Sequence, residues 1–302
     1  MLSICIPVYN FNVTELVKSL HDEAETLAIA YEIIIADDAS NEDFRKENSL
    51  LSKLSNVRYM YSETNRGRTG NRNFLFQKAQ YPYILFMDCD SKTSNRDYIK
   101  AFLPYCVPGC ICSGGRIYSR AKPKDNKHVL HWKVGRSRES KSAGVRSKKP
   151  NNSFMSFNFL IDRNIFKVVK FDERLQGYCN EDTLFGIELK KRGITIQHID
   201  NPLYHIGLEG AEPFLSKIEQ GLENYHKINR LYDNDPVFIE SCKILRVEQR
   251  IKKWRLVPCV KTLFNVTKKW MYNNLTGKNP YLWVYDLYRL GYLCDCAAIE
   301  IK

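Results

Sequence analysis

The segment "YILFMDCDSK" (residues 83–92) runs a short apolar stretch, Tyr83 to Met87, straight into two aspartates one position apart. A run of that length and character reads as a buried strand. Asp88 and Asp90 would then stand at its tip. Carboxylates at i and i+2 past a strand end can share one divalent cation, directly or through water. Hard ions such as Mg2+ and Mn2+ prefer oxygen ligands and keep open positions for phosphate oxygens. D-x-D alone is a weak signal, because aspartate is also common in solvated turns. Its context has to carry the reading.

Upstream, strand and helix patterns alternate. "LSICIP" (2–7) reads as a first strand, and Val13, Leu16, Val17 and Leu20 mark one face of a helix after it. Asn12, with Glu15 three residues on, resembles a capping box at that helix start. "YEIIIA" (31–36) and "VRYMY" (57–61) read as further strands, and "GNRNFLFQKA" (70–79) as a helix. Such alternation predicts an α/β fold with a mainly parallel sheet flanked by helices on both faces. Ligands of such sheets bind at the carboxyl ends of the strands. Asp37, Asp38, Asp88 and Asp90 all fall at such ends.

Residues 116–152 change character: basic, rich in Ser, Lys and Arg, and weakly periodic. They read as a flexible loop with a short element around "HVLHWKV" (128–134). Order returns with a strand in "SFMSFNFLI" (153–161), a helix in "NEDTLFGIELKKRG" (180–193) and a strand in "ITIQHI" (194–199). Residues 211–302 are helical in pattern. The expected organisation is an α/β domain over 1–210, interrupted by the basic flexible loop 116–152, and a helical C-terminal extension over 211–302.

The composition, 44% apolar and 26% charged, is that of an ordinary globular chain. No apolar run reaches the roughly 18 residues of a membrane span, and "MLSICIPVYN" reads as a strand rather than a signal peptide. The ten cysteines include no C-x-x-C, so buried thiols in a reducing cytoplasm are expected. The net charge of +12 is concentrated in 116–149 and 243–302, leaving the rest acidic. Two basic zones suggest an anionic partner: a nucleotide, a phospholipid surface or a nucleic acid.

Several side chains could do chemistry at the strand ends. Tyr9, in "PVYN" (7–10), could pack beside a base whose N–H Asp38, in "DDAS" (37–40), accepts; both stretches are also good turns. "NRGRTGNRN" (65–73) offers Arg66, Arg68 and Arg72 as planar forks for phosphate, around Gly67 and Gly70. It is neither G-x-G-x-x-G nor a P-loop, which argues against a dinucleotide cofactor and ATPase chemistry. Glu181 and Asp182 stand near a helix N-terminus, where carboxylates are favoured. There they serve as plain caps or supply a general base for a hydroxyl. His205, in "NPLYHIG" (201–207), could be a further metal ligand if the fold carries it to Asp90; a lone histidine is more often structural.

Together these six short motifs, in this order, resemble a family 2 glycosyltransferase of the GT-A fold over residues 1–210, which implies a catalytic domain whose 1–115 bind the nucleotide sugar and whose 153–210 form the acceptor side. The resemblance implies that Pro7 and Tyr9 line the base and ribose and that Asp38 binds the base, most often uracil. It implies Arg72, with Arg66, near the base or diphosphate, and Asp88 on the ribose or a metal-bound water. Asp90 and His205, with Asp88 beside them, would hold Mn2+ or Mg2+. Asp182 would be the catalytic base, and Glu181 would help place the acceptor. The implied reaction is inverting transfer from a nucleotide-diphosphate sugar to a glycan or lipid-linked acceptor in cell-surface glycan synthesis. Cys89, in the middle of D-x-D, departs from the usual small or polar residue, but its side chain should point away from the ligand.

The implied setting is cytoplasmic, with peripheral contact to the inner face of the cell membrane. For that contact "KKWRLVPCVKTLFNVTKKWMYNNL" (252–275), which interleaves cations with Trp and aliphatic residues, is the candidate. A helix packed on the catalytic domain with a basic outer face explains the same pattern. Two other functions fit the sequence less well. A basic nucleic-acid-binding protein lacks any motif here, and carboxylates cluster where such a ligand would be repelled; no nucleic-acid partner is expected. A sugar nucleotidyltransferase would want a Gly-rich, basic first strand–helix turn, which "PVYNFN" is not.

Overall fold

The computed structural model describes residues 1–299 except 176 and 179. Its elements run β1 (Leu2–Val8), α1 (Thr14–Thr26), β2 (Tyr31–Asp38), α2 (Glu42–Ser49), β3 (Val57–Ser62), α3 (Gly67–Lys78), β4 (Tyr83–Met87) and β5 (Ser91–Thr93). There follow β6 (Ile111–Ser113), β7 (Arg116–Ile117), α4 (Val129–Val134), α5 (Ala143–Arg146), β8 (Asn158–Asp162), α6 (Arg163–Val168), α7 (Glu181–Lys191), β9 (Gln197–His198) and β10 (Leu203–His205). The remainder is helical: α8 (Ala211–Leu231), α9 (Pro236–Ser241), α10 (Lys243–Lys253), α11 (Val257–Thr276) and α12 (Leu282–Ile299).

The main sheet has the order β3-β2-β1-β4-β8-β6-β9. β1 to β4 are mutually parallel, and β8 is antiparallel to both β4 and β6. The expected α/β architecture is therefore present, mainly parallel and flanked by helices. Alternation along the strands fills both faces. Leu2, Ile4, Ile6, Ile33, Ile35, Leu85 and Met87 meet Leu16, Val17 and Leu20 of α1. On the other face Phe86 stacks between Phe159 and Phe166, at 5.0 and 5.4 Å, and Phe76 of α3 stacks on Phe166 at 4.7 Å. Burying such side chains contributes roughly 1.5–3 kcal/mol each.

Local details differ from the sequence reading. The capping box at α1 is replaced by an Asx turn. Asn12 Oδ1 accepts from Thr14 N–H, its amide reaches Glu47, and Asn48 takes the Val13 N–H. "ITIQHI" yields only the two-residue β9, whose Gln197 and His198 pair with Cys112 and Ser113 of β6.

A small sheet, β5-β10-β7, lies beyond the D-x-D segment. β10 is antiparallel to β5 with His205 opposite Ser91, and parallel to β7.

Contacts divide the chain into two units, differing from the expected boundary at 210. The first comprises 1–118, 140–176 and 188–207; the second comprises 119–139, 177–187 and 208–302. The physical reason is packing. Leu130 and Val134 of α4 belong to the helical core of the second unit, with Phe214, Phe264, Met271, Val284 and Tyr288. The basic segment thus carries short helices that contribute to a core. In the first unit Arg146 of α5 is buried. It donates to the carbonyls of Ser113, Gly114 and Ile199 at 3.0, 3.1 and 2.7 Å, tying α5 to β6 and the end of β9.

Gly114 lies in a polar knot in the same unit. Asn158 Nδ2 donates to Gly115 O and Asn201 O, Tyr98 O–H donates to Asn158, and Asn201 Nδ2 donates to Tyr98 O. An alanine Cβ at 114 would stand 2.3 Å from Asn201 O and 2.5 Å from Asn158 Nδ2. Gly114→Ala is expected to cost about 1–3 kcal/mol in urea unfolding. Gly144→Ala, whose Cβ meets nothing within 4 Å, is expected to cost nothing. Equal stabilities for the two variants would show that the knot is loose.

Candidate active site

The carboxyl ends of β1, β2 and β4 lie at one edge of the sheet, and their loops are tied together. Asn10, at φ 50°, donates its N–H to Ser40 Oγ, and Asn10 Oδ1 accepts from Asn41 N–H, both at 2.8 Å. This leaves Tyr9 exposed at 55%, with an aromatic face available to a ligand, and Pro7 partly buried beside it.

Each carboxylate at this edge has its own donors. Asp37 is buried. It accepts from Tyr59 O–H at 2.7 Å and Ser40 N–H at 2.9 Å. Asp38 accepts the N–H groups of Arg66 and Gly67, at 2.8 and 2.9 Å, where the chain turns into α3. Burial raises the Asp38 carboxyl above its ordinary range, and the two N–H groups offset part of that rise. Gly67 makes the turn at φ +74°, a conformation that favours glycine. Arg66 is exposed, 3.8 Å from Asp38, with its guanidinium over the Phe74 ring at 4.1 Å.

Asp88 is engaged by arginine. Arg72, fully buried on α3, places Nη2 2.5 Å from Asp88 Oδ1, and Arg68 Nη2 lies 3.7 Å from Oδ2. Asp90 is engaged differently. Its carbonyl accepts Ile206 N–H at 2.9 Å, which continues the β5–β10 pairing and sets His205 Nε2 3.2 Å from Asp90 Oδ2. Tyr118 and Phe157 flank the imidazole, with centroids 5.1 and 5.5 Å away. Burial by itself would raise the Asp90 carboxyl. The hydrogen bond and charge of His205 and the charges of Arg116 and Arg68 outweigh it and hold the group at about 2.

Asp90 Oδ1 is buried and has no hydrogen-bond partner among the described residues. An ionised carboxylate with an orphan oxygen beside an imidazole suits a small divalent cation completed by phosphate oxygens and water. Among the described residues no group of three or more His, Cys, Asp or Glu side chains is gathered for a metal. Of the three expected metal ligands, Asp90 and His205 therefore come together, and Asp88 faces the guanidiniums. Cys89, in a turn past the end of β4, packs against the hydrophobic core.

Two residues here escaped the sequence reading. Arg116 sits over Phe157 at 4.0 Å and adds positive charge near Asp90. Gly207 lies so close that a Cβ would meet Asp90 Oδ2 at 2.7 Å. The glycine two residues past the histidine was a visible signal; Arg116 was hidden at the head of a basic run.

Glu181 and Asp182 belong to the second unit, in the first turn of α7. Glu181 is buried, and Asp182 Oδ1 is a buried oxygen without a hydrogen-bond partner among the described residues. The approach to this turn is clipped to α8. Tyr178 N–H donates to Gln220 Oε1 and Asn224 Nδ2 donates to Tyr178 O, both at 2.9 Å.

Fold and sequence define the class together. The chain belongs to glycosyl transferase family 2, whose model matches residues 3–169. An uncharacterised glycosyltransferase of Haemophilus influenzae is 24% identical over 68% of this chain and 80% of its own length. Among solved structures, the Pyrobaculum calidifontis mannosyltransferase PcManGT in complex with GDP-Man and Mn2+ covers 99% of this chain and 86% of its own. It has a TM-score of 0.60 and 13% identity. Residues 1–349 of S. aureus TarS in complex with UDP-GlcNAc cover 100% and 92%, with TM-score 0.52 and 15% identity. The chain spans 42% of the longer TarS chain.

The Arg72–Asp88 pair yields a prediction. Removing one member of a buried ion pair leaves an uncompensated charge. Arg72→Met should cost about 3 kcal/mol in urea unfolding, with Arg68 limiting the loss. Adding Asp88→Asn should recover part of it. Simple additivity of the two costs would show that the pair is not coupled.

Proposed function

We propose that the chain transfers a sugar from a nucleoside-diphosphate donor, UDP-linked, to an acceptor hydroxyl, with metal dependence and inversion at the anomeric carbon. The observation that carries this reading is the Asp90–His205 pair. It stands with an orphan carboxylate oxygen at the sheet edge where the base- and phosphate-binding candidates also lie. The similar proteins with bound GDP-Man and Mn2+ or with UDP-GlcNAc support the donor class.

In this reading Tyr9 and Pro7 receive the base and ribose, and Asp38 accepts from the base. Arg68 and Arg66 meet the diphosphate. Arg72, expected at the base or diphosphate, is buried against Asp88 and instead holds that carboxylate in place near the ribose. Asp90 and His205 would hold Mn2+ or Mg2+, which supplies Lewis-acid neutralisation of charge on the leaving diphosphate. The acceptor oxygen bonds to C1, the bond from C1 to the diphosphate oxygen breaks, and the acceptor proton passes to Asp182, the assigned base. Glu181 helps to place the acceptor. One displacement inverts the anomer, and no carboxylate nucleophile is needed. The acceptor is a glycan or a lipid-linked glycan of the cell surface, met from the cytoplasm at the inner face of the membrane. Among the described residues no helix is long and apolar enough to cross a membrane.

A thermal-shift series tests the donor site. UDP with Mn2+ should raise Tm by several degrees at about 100 times Kd. UDP in EDTA should do much less, and GDP should shift Tm less than UDP. Asp90→Ala should lose the metal-dependent part, whereas Asp182→Asn should keep it. In a UDP-release assay Asp182→Asn should lower transfer by about 10²–10⁴-fold. Full turnover by that variant would remove Asp182 as the base, and nucleotide binding indifferent to EDTA would remove the metal.

A further inference from the structure

The helical unit carries an exposed apolar stripe. On α11, Cys259, Leu263, Val266 and Trp270 follow one another at steps of four, three and four, so they share one face of the helix. Leu263, Val266 and Trp270 are exposed at 63, 78 and 53%. Phe264, Met271 and Leu275, on another face, are buried in the unit's core. The exposed surface continues past α11. Trp270 lies 6.0 Å from Trp283, and Trp283 stacks with Tyr281 at 6.3 Å. Beside them is a groove of about 610 Å3 lined by Trp132, Lys133, Arg136, Tyr281 and Trp283 among others.

The charge around this surface is mainly positive, and the exposed Asp286 beside it is paired with Arg138. Residues 250–285 contain eight Lys and Arg and no Asp or Glu. Lys252 and Lys261 are paired with Glu248 and Asp295. Lys253, Lys269 and Lys278 are exposed and make no salt bridge among the described residues, whereas Lys268 lies over the Phe264 and Tyr292 rings, on the core side of α11. In the groove, Arg136 lies over the Trp132 ring at 5.2 Å and pairs with no carboxylate among the described residues.

We propose that this surface docks on an anionic phospholipid bilayer. Leu263, Val266, Trp270 and Trp283 would enter the headgroup–acyl boundary, the lysines would meet the negative surface, and Arg136 would meet a lipid phosphate. Apolar residues with tryptophans beside a mainly cationic margin are what an interfacial helix needs. A partner protein would have to be both acidic and apolar over the same strip, whereas an anionic bilayer presents both at every point. This deepens the membrane part of the proposed function and rests on it for its purpose, but the lipid contact needs no nucleotide.

The test is sedimentation of the full chain with phosphatidylglycerol-containing vesicles and with pure phosphatidylcholine vesicles, at low and high salt, without nucleotide. Wild type should sediment with the anionic vesicles at low salt and be released by high salt. Lys269→Gln and Lys278→Gln should each weaken binding about fivefold. Leu263→Asp with Val266→Asp should abolish it, while the circular dichroism spectrum and the UDP-dependent Tm shift stay unchanged. No sedimentation of wild type at low salt overturns the proposal, as does undiminished binding by the double variant. A dimer in light scattering, lost in the double variant and unaccompanied by vesicle binding, would assign the stripe to a second copy of the chain. Vesicle binding without any nucleotide shift would spare this inference and sink the transferase reading alone.

Discussion

Four carboxylates crowd the carboxyl edge of the sheet, and a low-dielectric site tolerates them only if each is compensated. The first unit is organised around that requirement. Asp37 has a tyrosine hydroxyl and a backbone N–H, Asp38 two backbone N–H groups, Asp88 a buried guanidinium and Asp90 an imidazole. The compensation is incomplete at one atom, Asp90 Oδ1. Elsewhere in a core such an orphan would be a defect costing about 1–3 kcal/mol. Here it lies beside the His205 imidazole, at the edge where the proposed function places the donor.

The compensating groups are also what fix geometry. Arg72 reaches Asp88 from α3, so the pair locks a helix to the tip of β4 while Phe76, one turn on, fixes the same helix to the sheet face. His205 reaches Asp90 because β10 pairs with β5 immediately after the aspartate, and Gly207 lets the chain pass within contact of it. A larger residue at 207 would push apart the two groups that the small sheet brings together. Rigid support of this kind holds charged side chains in place without reorganisation.

The helical unit follows a different rule. Its core is aromatic and aliphatic and recruits α4 from the basic segment, so that strongly cationic sequence is anchored by Leu130 and Val134. The cations themselves face outward, along with tryptophans that the core leaves uncovered. The segment between 119 and 139 is therefore both structural and surface-forming, which its composition alone did not suggest.

Local sequence determined the parallel strands, the helices between them and the positions of the aspartates at strand ends. Apolar runs and turn residues act over a few residues, and their period is written in the chain. It also pointed to His205 and Asp182 as site candidates, through short motifs in a familiar order. Tertiary structure decided which carboxylate met which cation. Nothing in "YILFMDCDSK" says that Asp88 would take Arg72 and Asp90 would take His205, since both outcomes depend on a helix and a strand that arrive from elsewhere. The same holds for Arg116 and Gly207 near Asp90, for the shortness of β9, and for the assignment of 119–139 to the helical core. Each is a matter of long-range pairing and of space already filled, and neither has a period that a linear pattern can display.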